Sequence, residues 1–128
     1  MSAQVVESSG RRKGDVFDSN CPSRTVLDHV TSKWAVLVLA ALRTGPMRFS
    51  ALRRTIGGVS EKMLAQTLRT LEADGFLDRE VAPTTPPQVT YSLTEFGAEL
   101  TEHLTGLVEW IAVRMPDIEA GRGARTGS

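Results

Sequence analysis

Apolar residues recur along this chain in patterns that separate helices from strands. Leu64, Leu68 and Leu71 fall at i, i+4 and i+7, one stripe of an amphipathic helix, with Ser60 placed to cap its start. Lys62, Gln66, Arg69 and Thr70 then lie on the opposite side, and Met63 lies at its edge. Asp74-Gly75 closes this helix, since glycine adopts the left-handed conformation of a helix terminus cheaply. Phe76 to Val81 reads as a strand, and the alternation of Val89, Tyr91 and Leu93 as a second strand with one buried face. Between them Pro83-Thr84-Thr85-Pro86-Pro87 makes a stiff tip whose prolines cannot donate ladder hydrogen bonds. A helix leading directly into a two-stranded ribbon predicts a winged helix-turn-helix.

The flanking stretches fit that shape. Trp34 to Leu42 is apolar on nearly every face and reads as the central buried helix, capped by Thr31 or Ser32 and ended by Arg43 with Gly45-Pro46. Met47-Arg48-Phe49 is a short extended piece. In the brief helix that follows, Ser50 to Ile56, Leu52 and Ile56 share one face and leave Arg53 and Arg54 outward. Gly57-Gly58 supplies the turn. Thr94 caps a last helix in which Leu100, Leu104, Leu107 and Ile111 recur at helical spacing, with Val108 and Trp110 widening the apolar surface. A chain of 128 residues has little local core to cover so broad a face. Packing on the Trp34 helix would use part of it, and a second copy of the chain the larger share. The expected fold is therefore mainly α with a small β-wing, a winged helix-turn-helix dimerising through its terminal helices. Residues 1–19, which include Arg11-Arg12-Lys13, are expected to form a flexible N-terminal tail, 20–115 the domain, and 116–128 a flexible C-terminal tail.

Charge changes this picture where composition does not. The formal net charge is zero, which by itself argues against a polyanionic partner. From Arg43 to Arg69, however, six cations face Glu61 alone, a net of +5, whereas Glu95 to Glu119 carries a net of −5. A basic segment surrounding the predicted helix-turn-helix suits nucleic acid, although two solvated helix faces would give the same totals. Lys62, Gln66 and Met63 are suited to reading bases in a major groove: glutamine bonds adenine, lysine bonds guanine or phosphate, and methionine touches a thymine methyl. Arg48, Arg53, Arg54 and Arg69 are suited to holding phosphates. Any surface helix can show such residues outward, so the spacing gains weight only from the elements around it.

The single cysteine, Cys21, precedes Pro22 at a predicted helix start. Unpaired backbone N–H groups there favour an anion, so the thiol could ionise more readily than a free one, with Arg24 one turn along as a further aid; a small packing residue is the other reading. One cysteine makes no internal disulfide, which points to the cytoplasm, and no apolar run approaches the roughly 18 residues that span a bilayer. His29 and His103 are far apart in sequence, with no metal-ligand spacing and no nucleophile motif, so neither an enzyme, a cofactor nor a metal is expected.

Taken together, Cys21-Pro22, Ser32-Lys33-Trp34, Met47-Arg48-Phe49 before Leu52-Arg53-Arg54, Ser60-Glu61-Lys62-Met63-Leu64, Glu72-Ala73-Asp74-Gly75, and Pro86-Pro87 with Val89, Tyr91, Leu93 and Thr94 resemble the HxlR-type winged helix-turn-helix transcriptional regulators, relatives of the MarR type. The resemblance covers about residues 20 to 112. It implies a cytoplasmic bacterial homodimer that binds pseudo-palindromic double-stranded DNA, with the helix from Ser60 as recognition helix and Val81 to Val89 as the wing. It also implies that Cys21 senses oxidants or electrophiles, through a disulfide between subunits or through alkylation. Wing strands of the family usually carry a basic residue where Gln88 stands and often an aromatic where Ala82 stands, which shifts recognition toward the helix. The DNA-binding set is thus Arg48, Arg53, Arg54, Ser60, Lys62, Met63, Gln66, Arg69 and Gln88. The dimer set is Leu100, Leu104, Leu107, Val108, Trp110 and Ile111. Two other readings stay open: a winged-helix protein-interaction module that binds no DNA, and a regulator that answers a small apolar ligand instead of thiol chemistry.

Overall fold

A computed structural model describes residues 14–126. The Arg11-Arg12-Lys13 run and the last two residues lie outside them. The order of elements is α1 (Pro22–Val30), α2 (Lys33–Leu42), β1 (Met47–Arg48), α3 (Phe49–Thr55), α4 (Glu61–Ala73), β2 (Leu77–Ala82), β3 (Gln88–Leu93) and α5 (Glu95–Thr126). The strands form one antiparallel sheet in the order β1-β3-β2. This is a winged helix-turn-helix, with α3 and α4 as the helix pair and β2–β3 as the wing.

The core forms around α2, whose Ala35, Val38, Leu39 and Leu42 are buried. Ser32, rather than Thr31, caps that helix by accepting a hydrogen bond from the Ala35 N–H. Leu52, Ile56 and Val59 close one side of the core, and Leu64, Leu68 and Leu71 of α4 close another, as their spacing predicts. Phe76 and Leu77 complete it beneath the wing. Phe76 itself is not in a strand. Its N–H donates to the Leu71 carbonyl and the Gly75 N–H to the Glu72 carbonyl, the paired bonds of a helix end that turns back on itself through Gly75 at φ 87°.

Three expectations need correction. The strand from Gln88 alternates less cleanly than expected: Tyr91 and Leu93 pack on the core as their spacing predicts, but all six of its residues are half-buried, β3 lying between β1 and β2. Chain beyond Pro116 is not a tail, since α5 runs through that proline to Thr126. Proline removes one N–H and crowds the preceding turn, and Gly121 and Gly123 beyond it are poor helix formers, yet Glu119, Ala120, Arg122, Ala124 and Arg125 favour the helix, and Arg114 reaches Asp117 across the proline (3.5 Å). Finally, Leu100 and Leu104 do not face outward for a partner. Leu104 is buried and Leu100 half-buried against the core, where the first turns of α5 cross α2 and β3.

Thr94 caps α5 as its position predicts, and it also anchors a junction at the base of that helix that no local pattern reveals. The Thr94 N–H donates to the Phe76 carbonyl, and its hydroxyl donates to the Gly75 carbonyl (2.7 Å) while accepting from the Gly97 N–H (2.9 Å). Phe76 and Phe96 stack with centroids 5.1 Å apart. Gly97 lies so close that an added Cβ would sit 2.0 Å from the Phe76 carbonyl oxygen, a backbone atom that cannot rotate away. Gly97→Ala is therefore expected to lower the free energy of urea unfolding by about 2–4 kcal/mol through overpacking. Gly123→Ala, with open space around its Cβ, should leave it unchanged or raise it by up to about 1 kcal/mol.

Candidate DNA-reading face

The reading helix α4 is built from its cap outward. Ser60 is extended and its hydroxyl accepts from the Met63 N–H (3.0 Å), so this residue starts the helix as well as standing at its exposed end. Lys62, Gln66 and Arg69 are exposed, and Met63 is partly so. The predicted base-reading set thus shares one continuous outer surface. Thr67, absent from that set, is buried and donates its hydroxyl to the Met63 carbonyl.

Arg48, Arg53 and Arg54 are exposed on the α3 side of α4. Arg53 is already engaged, its guanidinium 3.1 Å from the Glu61 carboxylate in the first turn of α4. Both side chains are largely open to water, so the pair contributes little to stability and competes with any phosphate that approaches Arg53. On the wing, register places Arg48, Thr90 and Glu80 in one cross-strand row. Two strand spacings separate Arg48 from Glu80, about 9–10 Å, so an acid accompanies this cation on the same sheet surface. Gln88, opposite Ala82, falls on that surface too. Arg79 lies in the neighbouring row with Met47 and Tyr91. It is an exposed wing cation that the sequence reading passed over, and only strand register distinguishes it from its acidic neighbours.

The other flank of α4 is a cleft of about 200 Å³ against the α1–α2 corner. Asp28, His29, Ser32 and Ala35 line it from that corner, and Met63, Gln66, Thr67, Thr70 and Leu71 from α4. His29 Nδ1 lies 2.6 Å from Asp74 Oδ2, tying the end of α1 to the C-terminus of the reading helix.

Cys21 holds the N-cap position of α1, as Pro22 predicts, but its side chain does not cap the helix. The thiol is 6% exposed, with its sulfur 3.2 Å from the Ser23 hydroxyl. His29 stands about 12 Å farther along the helix axis at 1.5 Å per residue, and its Nδ1 is turned to Asp74. The predicted dimer set divides. Leu107, Trp110 and Ile111 are exposed at 52%, 58% and 41%, and Val108 is half-buried, whereas Leu100 and Leu104 belong to the core. Val113 on α5 and Val26 and Leu27 on α1 add exposed apolar surface. Among the described residues no single helix is long and apolar enough to cross a membrane.

A capped, exposed reading helix behind a short helix and before a wing defines a helix-turn-helix transcriptional regulator. The chain belongs to the HxlR-like helix-turn-helix family, whose pattern matches residues 29–119. It is 53% identical over 123 residues to YtfH of Escherichia coli, an uncharacterized HTH-type transcriptional regulator, covering 96% of this chain and 98% of that one. The structure of ytfH from Salmonella typhimurium superposes with a TM-score of 0.81 at 54% identity, covering 84% of this chain and 96% of that one. The redox regulator HypR in its oxidized form follows at 0.67 and 39%, covering 73% and 96%. These relatives all carry the name of regulators.

The Arg53–Glu61 pair yields a direct test. Glu61→Gln releases the guanidinium, so binding to duplex DNA should tighten about two- to fivefold near 0.1 M salt, with a steeper salt dependence. Fluorescence anisotropy across a salt series measures both, and an unchanged slope would mean that Arg53 makes no phosphate contact.

Proposed function

We propose that this protein is a cytoplasmic, homodimeric regulator that binds a pseudo-palindromic operator and responds to oxidants or electrophiles through Cys21. The observation that carries the DNA reading is the outward row Lys62, Gln66 and Arg69 on a helix whose other side is locked into the core. Lys62, Gln66 and Met63 read base edges; Arg48, Arg53, Arg54 and Arg69 hold phosphates; Ser60 and Gln88 contact DNA at the helix start and at the wing. The exposed Leu107, Trp110 and Ile111 of α5, with Val26 and Leu27 of α1, support a two-fold interface. Such a dimer sets its two reading helices about 34 Å apart or a multiple of that.

A salt titration on the gene's own upstream region tests the DNA reading. Specific binding whose log–log salt slope is several units is expected, and binding indifferent to salt and sequence would leave a protein-interaction module instead. Trp110→Glu should convert the dimer to monomer in sedimentation velocity while leaving the fold intact, because its ring is 58% exposed.

The thiol is the point of control. Two Cys21 thiols, one from each subunit, would lose two electrons and two protons to an oxidant such as diamide, forming an S–S bond and the reduced hydrazine. At 6% exposure each sulfur reacts only after the chain around the start of α1 opens locally, so signalling would be coupled to movement of α1. The same burial favours a second reading, in which Cys21 is a packing residue and an apolar ligand is the signal. Diamide or quinone should release the operator from the wild type but not from Cys21→Ser; equal release from both would assign the signal elsewhere.

A further inference from the structure

All the phosphate-holding arginines predicted from the chain on α3 and β1 approach the reading helix from one side. A helix lying in a major groove has a phosphate backbone along each of its flanks. On the second flank the cleft at the α1–α2 corner presents Asp28, which repels phosphate, and Ser32, immediately before the first residue of α2. That first residue is Lys33. It is exposed, and its ammonium is held 4.3 Å from the centroid of the Trp34 ring. The ring in turn borders the helix-turn-helix turn, since a Cβ on Gly58 would lie 3.9 Å from its outermost carbon. Lys33 thus directly follows a residue of the cleft wall, and its ammonium rests on a ring that borders the turn before α4. Arg53 is engaged by Glu61 and Arg43 by Glu102, but among the described residues no carboxylate pairs with Lys33.

We infer that Lys33 is a phosphate-contacting residue that anchors the DNA backbone on the flank of α4 opposite α3, the indole of Trp34 holding its side chain in place. The ring keeps the ammonium from wandering over the surface, while its position leaves the donors open to an anion. A contact of this kind fixes how the reading helix lies in the groove and carries no sequence information itself. It also explains why a basic segment starting at Arg43 understates the DNA surface: the matching cation for the far strand sits ten residues earlier, brought there by the fold.

The inference rests on the DNA reading, and the experiment separates the two. The full chain, Lys33→Gln and Lys33→Arg are titrated by anisotropy against a duplex of the gene's own upstream sequence and a scrambled duplex of equal length, between roughly 50 and 200 mM salt. Lys33→Gln should weaken both duplexes by a similar factor, about three- to tenfold near 0.1 M salt, and reduce the log–log slope by about 0.9 per protomer. Lys33→Arg should keep the wild-type slope. A Lys33→Gln protein that loses affinity with its slope intact would show that the side chain only packs on Trp34, and that result overturns the inference. So does an unchanged affinity and slope. Wild-type protein that binds neither duplex in a salt-dependent way overturns the DNA reading itself, and this contact with it.

Discussion

The structure depends most on the close approach of α5 to the end of the reading helix. Where α4 stops, Gly75 reverses the chain, Thr94 spans the turn with three hydrogen bonds, and Gly97 lets the backbone of α5 lie directly against the Phe76 carbonyl. From the opposite direction His29 reaches Asp74. Four of the five helices and the wing are therefore referenced, directly or through the α2 core, to a few residues around Asp74-Gly75-Phe76. None of these hydrogen bonds is strong by itself, since each replaces a bond to water. Their importance is geometric. A helix that reads DNA is useful only if its orientation relative to the rest of the protein is fixed, and here the rigid link between reading helix and long terminal helix is only a few residues long.

That link explains how events at α1 could be felt at the DNA surface. Cys21 begins α1 and His29 lies near its end, bonded to the C-cap residue of α4. The cleft between them is lined by Met63 and Gln66, two of the residues assigned to base reading. A displacement of α1 would thus act on both the position of α4 and the flank on which Lys33 stands. No long relay through the core is needed, because the two helices already touch.

Much of this was legible in the chain. A stripe of three leucines, a serine cap and a terminal glycine were enough to place α4 and its exposed residues, because local periodicity and capping agree there with tertiary packing. The buried α2 was equally plain from its lack of any polar face. What escaped was set by distance in space. Leu100, Leu104, Leu107 and Ile111 are alike in hydropathy, yet the first two meet α2 and β3 and the last two do not, since a helix of 32 residues extends about 48 Å and outruns so small a body. Gly97 looked like any helical glycine until Phe76 was seen beside it. Pro116 looked like a helix end, because its local rule is strong, but an exposed helix can continue past a missing N–H when solvent serves the orphaned carbonyl.

Outward residues on α4 follow from the wheel, so Lys62, Gln66 and Arg69 were found. Arg53 was found as a cation but not as half of a pair, because Glu61 lies eight residues away across a turn. Arg48 was found without the Glu80 that shares its row, since strand register is a tertiary fact. Both corrections point the same way. A count of basic residues overstates the positive field where acids fold back against them, and understates it where a distant lysine is carried in. The field that DNA meets is set by which cations the fold leaves unneutralised along both flanks of the reading helix. By that measure the contact proposed for Lys33, which lies outside the basic segment and against the ring of Trp34, weighs as much as that of an arginine within it.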